Sequence, residues 1–178
     1  MFPSRRITTL GGEKFKDEHS LAFDGTDDYV NCGTSSDLDV GTSEFSVSVW
    51  FKLTDLTNSF GIVSKGDGLS SAPFDAHGWA ITHYNSNNRI YFDAHAGTDG
   101  TGTEDVRITA NSGSALSVNR WYHCVCTRTT SGANSLYSVY IDGVIKATTT
   151  ATDGGDKDAL AADGTKYLVD HRHAENMG

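Results

Sequence analysis

The heptapeptide Trp121-Tyr122-His123-Cys124-Val125-Cys126-Thr127 places an imidazole and two thiols within four positions. These are the residue types that a nucleophilic dyad or a transition-metal site would use. Such chemistry needs His123 and Cys124 to converge, whereas neighbouring side chains on an extended strand point to opposite faces. If 121–127 is a strand, Tyr122, Cys124 and Cys126 share one face and His123 takes the other. A free cysteine on an inward face behaves as a small hydrophobe, and the chain has no Cys-x-x-Cys pair to complete a zinc site. The segment therefore reads as the wall of a β-sheet and not as a reactive centre.

Other constellations carry weaker chemistry. Asp24, Asp27 and Asp28 crowd one turn, and Asp153, Asp156 and Asp158 crowd another. Hard carboxylate oxygens in a loop suit calcium, but neither run has Asp-x-Asp-x-Asp-Gly spacing, and Asp in turns ordinarily bonds its own backbone. The turn role is favoured, with Asp24, Asp27 and Asp28 retained as calcium candidates. His171 and His173 would share one strand face but lack a third ligand. Trp79, His83, Tyr84 and Tyr91 supply aromatic and polar groups that can stack on sugar rings. Strand alternation assigns half of those four to the core.

The elements that position these residues follow from composition and pattern. The 178 residues fit one domain large enough for a core without disulfides, and three cysteines cannot all pair within the chain. Nineteen glycines against two prolines, with polar residues weighted to Ser, Thr, Asn and Asp, describe strands and turns. The net charge of −9 disfavours nucleic acid and anionic lipid surfaces as partners. Charge is uneven, since residues 1–18 carry +1 and the remainder −10. The opening residues lack an apolar signal-peptide core, and no segment approaches the roughly 20 apolar residues of a membrane span. The expectation is synthesis in a cytoplasm, with release by lysis or as cargo.

Residues 1–18 show little periodicity and read as an arm preceding a domain at 19–178. Within the domain, "SLAFDGTDDYVNCG" reads as two short strands around an Asp-Gly turn. "FSVSVWFKL" has the cleanest two-residue period, with Phe45, Val47, Val49 and Phe51 on one face and Ser46, Ser48, Trp50 and Lys52 on the other. A strand enters a Gly-rich loop at "GIVSKGDG". Two strands flank the turn at 85–88, another lies in "EDVRITANSG", and a hairpin across Ser131 to Asn134 is followed by an Asp142-Gly143 turn. Residues 151–166 read as loop, with a short helical turn placed at Asp158 to Ala162, and "KYLVDHRHAENMG" begins one more strand. No window sustains helical spacing, and nine or ten strands at about 8–12-residue intervals indicate a sandwich or barrel.

The order of "LAFDGTDDYVNCG", "FSVSVWFKL", "GIVSKGD", "GWAI", "RWYHCVCTRT" and "YSVYIDGVIKA" resembles the laminin-G-like, concanavalin-A-like jelly-roll family over residues 20–150, of the type found in phage structural proteins. The resemblance implies an all-β fold of two antiparallel sheets, with a curved face that often carries ligand. It places Cys124 and Cys126 where two inward valines usually stand, and Trp79 at a packing position. The family's calcium sites use loop carboxylates and carbonyls. Its glycosidases use a Glu-x-Asp-x-x-Glu strand motif, which Glu13, Glu18, Glu44, Glu104 and Glu175 do not form. Many members continue into a closing strand, aromatic-x-Gly-x-Ile-Asp-Glu-Val. Its lack here implies a shortened chain or an unpaired sheet edge.

These observations predict a non-enzymatic structural or adhesive module on a bacteriophage virion surface, as capsid decoration or fibre component. It would have no cofactor other than calcium, if the aspartates bind it. Arg5, Arg6, Ile7 and Leu10 of the arm would dock on neighbouring virion or surface proteins, including further copies in a homo-oligomer. The alternative is a carbohydrate-binding, lectin-like module. Nucleic acid and membrane are not expected partners.

Overall fold

Ten strands arise where the sequence alternates apolar and polar residues between Gly, Asp and Asn turns. They are β1 (Tyr29–Gly33), β2 (Phe45–Lys52), β3 (Phe60–Lys65), β4 (Gly78–Tyr84), β5 (Arg89–His95), β6 (Asp105–Thr109), β7 (Trp121–Ser131), β8 (Asn134–Ile141), β9 (Val144–Ala151) and β10 (Lys166–Asp170). The computed structural model of the chain describes residues 19–25, 28–33, 40, 43–65, 78–95, 105–109, 115–131, 134–151 and 166–170. No helix occurs among the described residues.

Two antiparallel sheets form. One has six strands in the order β1-β10-β3-β4-β5-β6, and the other has four in the order β2-β7-β8-β9. The expected all-β, two-sheet sandwich is what the chain builds. Strands consecutive in sequence lie side by side in the β4–β5, β7–β8 and β8–β9 pairs. The last of these uses Asp142 and Gly143, both in the left-handed region with φ of 52° and 76°. A two-residue hairpin whose turn matches strand twist requires that conformation, which is why Asp-Gly occupies it.

Two expectations need correction, and one expected strand takes a place that pattern did not assign. Residues 19–24 are not a strand, so the Asp-Gly segment at 24–25 leads into β1 and does not close a hairpin. The strand expected to begin in 166–178 is present as β10, and it fills an interior position, bonded to β1 on one side and β3 on the other; among the described residues β1 and β6 edge the larger sheet and β2 and β9 the smaller. Pairing between segments more than a hundred residues apart carries no local signature, so pattern could propose the strand but not its place. Finally, burial does not alternate throughout. It does so along β2 and from Trp121 to Arg128 in β7. In β3, however, Gly61 to Lys65 are all buried, as are Ala80, Ile81, Thr82 and His83 in β4. These strands are flanked on both sides within the larger sheet, and their outward residues are small, so neighbours remove them from solvent.

The core lies between the sheets. Phe51, Tyr122, Cys124, Cys126, Tyr137, Val139 and Ile141 of the smaller sheet meet Ile62, Val63, Ile81, Ile90, Phe92 and Ala94 of the larger. Aromatic contacts join the layers: Phe45 approaches Trp79 at 5.9 Å and Phe92 edge-on at 6.2 Å, and Phe92 approaches Tyr137 at 6.0 Å between ring centroids. Such pairs add directional preference to the apolar area they remove from water. Arg128 is also inward and buried, with Nε donating to Ser135 Oγ at 3.2 Å and the guanidinium 5.9 Å from the Tyr137 ring centroid.

Candidate functional site

The strand register answers the question raised by residues 121–127. β2 and β7 pair so that Val49 faces Cys124 and Trp50 faces His123. Cys124 and Cys126 are fully buried, their sulfurs 3.8 Å apart without a disulfide, while His123 lies on the opposite, outward face. No Cys-His dyad forms among the described residues of this segment. Among the described residues, no group of three or more His, Cys, Asp or Glu side chains is arranged to hold a metal ion.

The outward face that receives His123 is a more promising surface. Trp50 lies nearly parallel to the His123 ring, with centroids 4.7 Å apart and planes inclined by 15°. The imidazole is fixed by a 2.8 Å hydrogen bond between its Nε2 and Ser48 Oγ. Its backbone is fixed as well: His123 N donates to Asp142 Oδ1 at 3.0 Å, and Asp142 N donates to His123 O at 2.8 Å. Trp50 nevertheless keeps 63% of its surface in water. Trp121, 45% exposed, stands one register step away opposite Lys52, whose ammonium is 5.6 Å from the indole centroid. Ser48, Val125, Tyr140 and Ile145 form the adjacent cross-strand row, with Ile145 exposed. An ordered, solvent-facing indole beside hydroxyl and imidazole groups is a rigid stacking surface that costs little conformational entropy on binding. The exposure of Trp50 was legible, since it is the one tryptophan that alternates with serines and a lysine on a polar face, but the residue was not singled out from sequence.

The four aromatic candidates proposed from sequence divide between faces. Trp79 packs against the core beside Phe45. His83 is wholly buried, stacked on Phe60 at 4.7 Å, with Nδ1 3.2 Å from Asn58 O. Burial pushes its imidazole below the ordinary histidine value, opposed by the Asn58 carbonyl. His83 is thus closed to solvent, and Trp79 is half-buried. Tyr84 and Tyr91 do lie together on the outer face of the larger sheet, with ring centroids 4.3 Å apart, and Asn87 Nδ2 donates to Tyr91 OH at 2.7 Å. They form a half-buried pair remote in topology from Trp50.

Of the calcium candidates, Asp24 and Asp28 are bound to each other's segment, Asp24 N donating to Asp28 Oδ2 at 2.9 Å. That is turn chemistry. Asp27, Asp153, Asp156, Asp158, His171 and His173 lie outside the described residues, as do Arg5, Arg6, Ile7 and Leu10 and the helical turn placed at Asp158 to Ala162. Two exposed carboxylates are held below their usual range by hydrogen bonds. Glu44 accepts first from Thr130 N and then Thr130 Oγ1, both at 2.7 Å, and Asp55 accepts from Thr57 Oγ1 and N. Both stay ionised at neutral pH, as acceptors and not proton donors.

A cleft of about 140 Å³ opens at one end of the sandwich, between the 85–88 turn, residues 115–120 and the β8–β9 turn. Arg89, Arg120, Lys146, Asn88, Tyr122 and Asp142 contribute to its lining.

The family model described as "Concanavalin A-like lectin/glucanases superfamily" matches residues 24–172. Among solved structures, the chain is similar to the binding domain of botulinum neurotoxin serotype G, with 17% identity and a TM-score of 0.47, over 75% of this chain and 30% of that one. The chain thus spans under a third of that structure's length. No curated protein matches the sequence.

Proposed function

This chain belongs to the concanavalin A-like lectin/glucanase superfamily, and we propose that it is a non-enzymatic binding module whose outer face on the four-stranded sheet takes a carbohydrate. Trp50 carries this reading: its indole is ordered by His123 and still mostly in water. A pyranose ring lays its C–H face on such an indole, and Ser48, His123 and Lys52 stand close enough in register to meet its hydroxyls.

The test is titration of the purified protein with a panel of oligosaccharides, following tryptophan fluorescence. Binding should weaken at least tenfold in Trp50→Ala with the far-UV spectrum unchanged. Equal affinity in the two proteins would remove this face as the site.

A wider setting follows from charge. A +1 segment at residues 1–18 on a −10 remainder favours docking of the arm, through Arg5, Arg6, Ile7 and Leu10, on an acidic neighbour in a larger particle such as a phage virion. Co-sedimentation with particles, lost on deleting residues 2–18, is the expected result. Calcium at the Asp24–Asp28 turn is a further proposal that a chelator added to the same titration would test.

A further inference from the structure

The cleft at the end of the sandwich has a charge that the chain as a whole does not. Arg89, Arg120 and Lys146 line it with a single carboxylate, Asp142, giving a local charge of about +2 on a protein of net −9. Chain sequence does not group these cations, which come from the start of β5, the loop before β7 and the body of β9. Asp142 pairs with Arg120 alone, Nη2 to Oδ2 at 2.6 Å. Arg89 and Lys146 make no ion pair with any described residue.

The walls are fixed in advance. Leu116 N donates to Asn88 O at 3.1 Å, Ser117 N donates to Tyr122 OH at 2.7 Å, and Asn119 N donates to Leu53 O at 2.7 Å, so residues 116–119 are tied to both sheets. Arg120 lies over the Tyr122 ring, 4.5 Å from its centroid, while Asp142 holds one edge of the guanidinium. An arginine so oriented presents its remaining N–H groups with little further loss of freedom. Size restricts what can enter, because about 140 Å³ is well below the roughly 300–1,000 Å³ of sites that enclose a whole small ligand. One charged substituent fits, with the body of the ligand outside.

We propose that this cleft is a site for one anionic group, a carboxylate or sulfate carried on a saccharide, gripped by Arg89, Arg120 and Lys146. The identity of the ligand's remainder rests on the carbohydrate reading above. The two surfaces share a support: Asp142 holds Arg120 on the cleft side and the His123 backbone behind Trp50 on the other. The module therefore selects acidic over neutral sugars.

The experiment compares methyl β-glucuronide, methyl β-glucoside and inorganic sulfate against the full chain, by calorimetry and by the NMR signals of the arginine and lysine side chains. The expected result is a preference of about tenfold or more for glucuronide over glucoside, as loss of charge-assisted hydrogen bonds implies. Sulfate should compete with the glucuronide and shift the Arg89, Arg120 and Lys146 signals. The preference should fall as salt rises and disappear in Arg89→Gln/Lys146→Gln, with glucoside binding unchanged. Equal binding of the two glycosides by the unmodified protein, with no side-chain shift in sulfate, overturns the cleft assignment while leaving the Trp50 surface intact. Sulfate shifts without binding of any saccharide would uphold the anion site and remove the carbohydrate reading instead.

Discussion

His123 and Cys124 are adjacent in the chain and separated by the thickness of a β-sheet: the imidazole stacks on Trp50 outside, and the thiol is fully buried between the sheets. The backbone of β7, held in register by β2 and β8, keeps them apart. The chemistry suggested by their proximity in sequence is therefore blocked by strand geometry.

Thiol accessibility should reflect this arrangement. Cys32 is exposed while Cys124 and Cys126 are buried, so an aromatic disulfide reagent should titrate one thiol rapidly in the native protein and all three in denaturant. Cys124→Ala should lose roughly 1–2 kcal/mol by leaving a small cavity, and Cys124→Val should lose less. Rapid native modification of three thiols would show that the sheet does not shield them.

His83 gives the fold a pH dependence. Burial holds its folded-state pKa below 6.5, so between that lowered value and 6.5 the unfolded chain binds more protons than the folded one. Its contribution is complete above pH 6.5 and is lost as pH falls from there toward the folded value. Glu44 and Asp55, whose ordinary values are 4.5 and 3.8, lose their contributions only further into acid. His83→Phe should flatten the fall in Tm between pH 7.5 and 5.5. An unaltered slope would assign that dependence elsewhere.

Gly143 tests the β8–β9 turn. A Cβ there would meet no atom within 4 Å, yet the backbone sits at φ +76°. Gly143→Ala should therefore destabilise by about 1–2 kcal/mol through conformation alone, and Gly143→Asn should retain more stability because asparagine tolerates that region better. Chemical denaturation of the three proteins measures this order, and an alanine variant as stable as the parent would contradict the turn geometry.

Much of the fold was legible in the sequence because strand alternation is local. The pattern of "FSVSVWFKL" sets the two faces of β2, and that of 121–128 sets those of β7, without knowledge of what lies above or below. The buried thiols, the Asp142-Gly143 turn and the all-strand class follow from such short-range rules, while the two-sheet arrangement was implied by the family resemblance. Tertiary structure decided what those rules leave open. Which face of a strand turns inward depends on the opposing sheet, so His83 and Trp79 packed inside although their types suit a ligand, and Trp50 stayed outside. Strand order depends on pairing across long loops, whose closure has no local signal, so β10 entered between β1 and β3. Likewise, Arg89, Arg120 and Lys146 come from separate elements, and only the closure of the sandwich end brings their charges to one cleft.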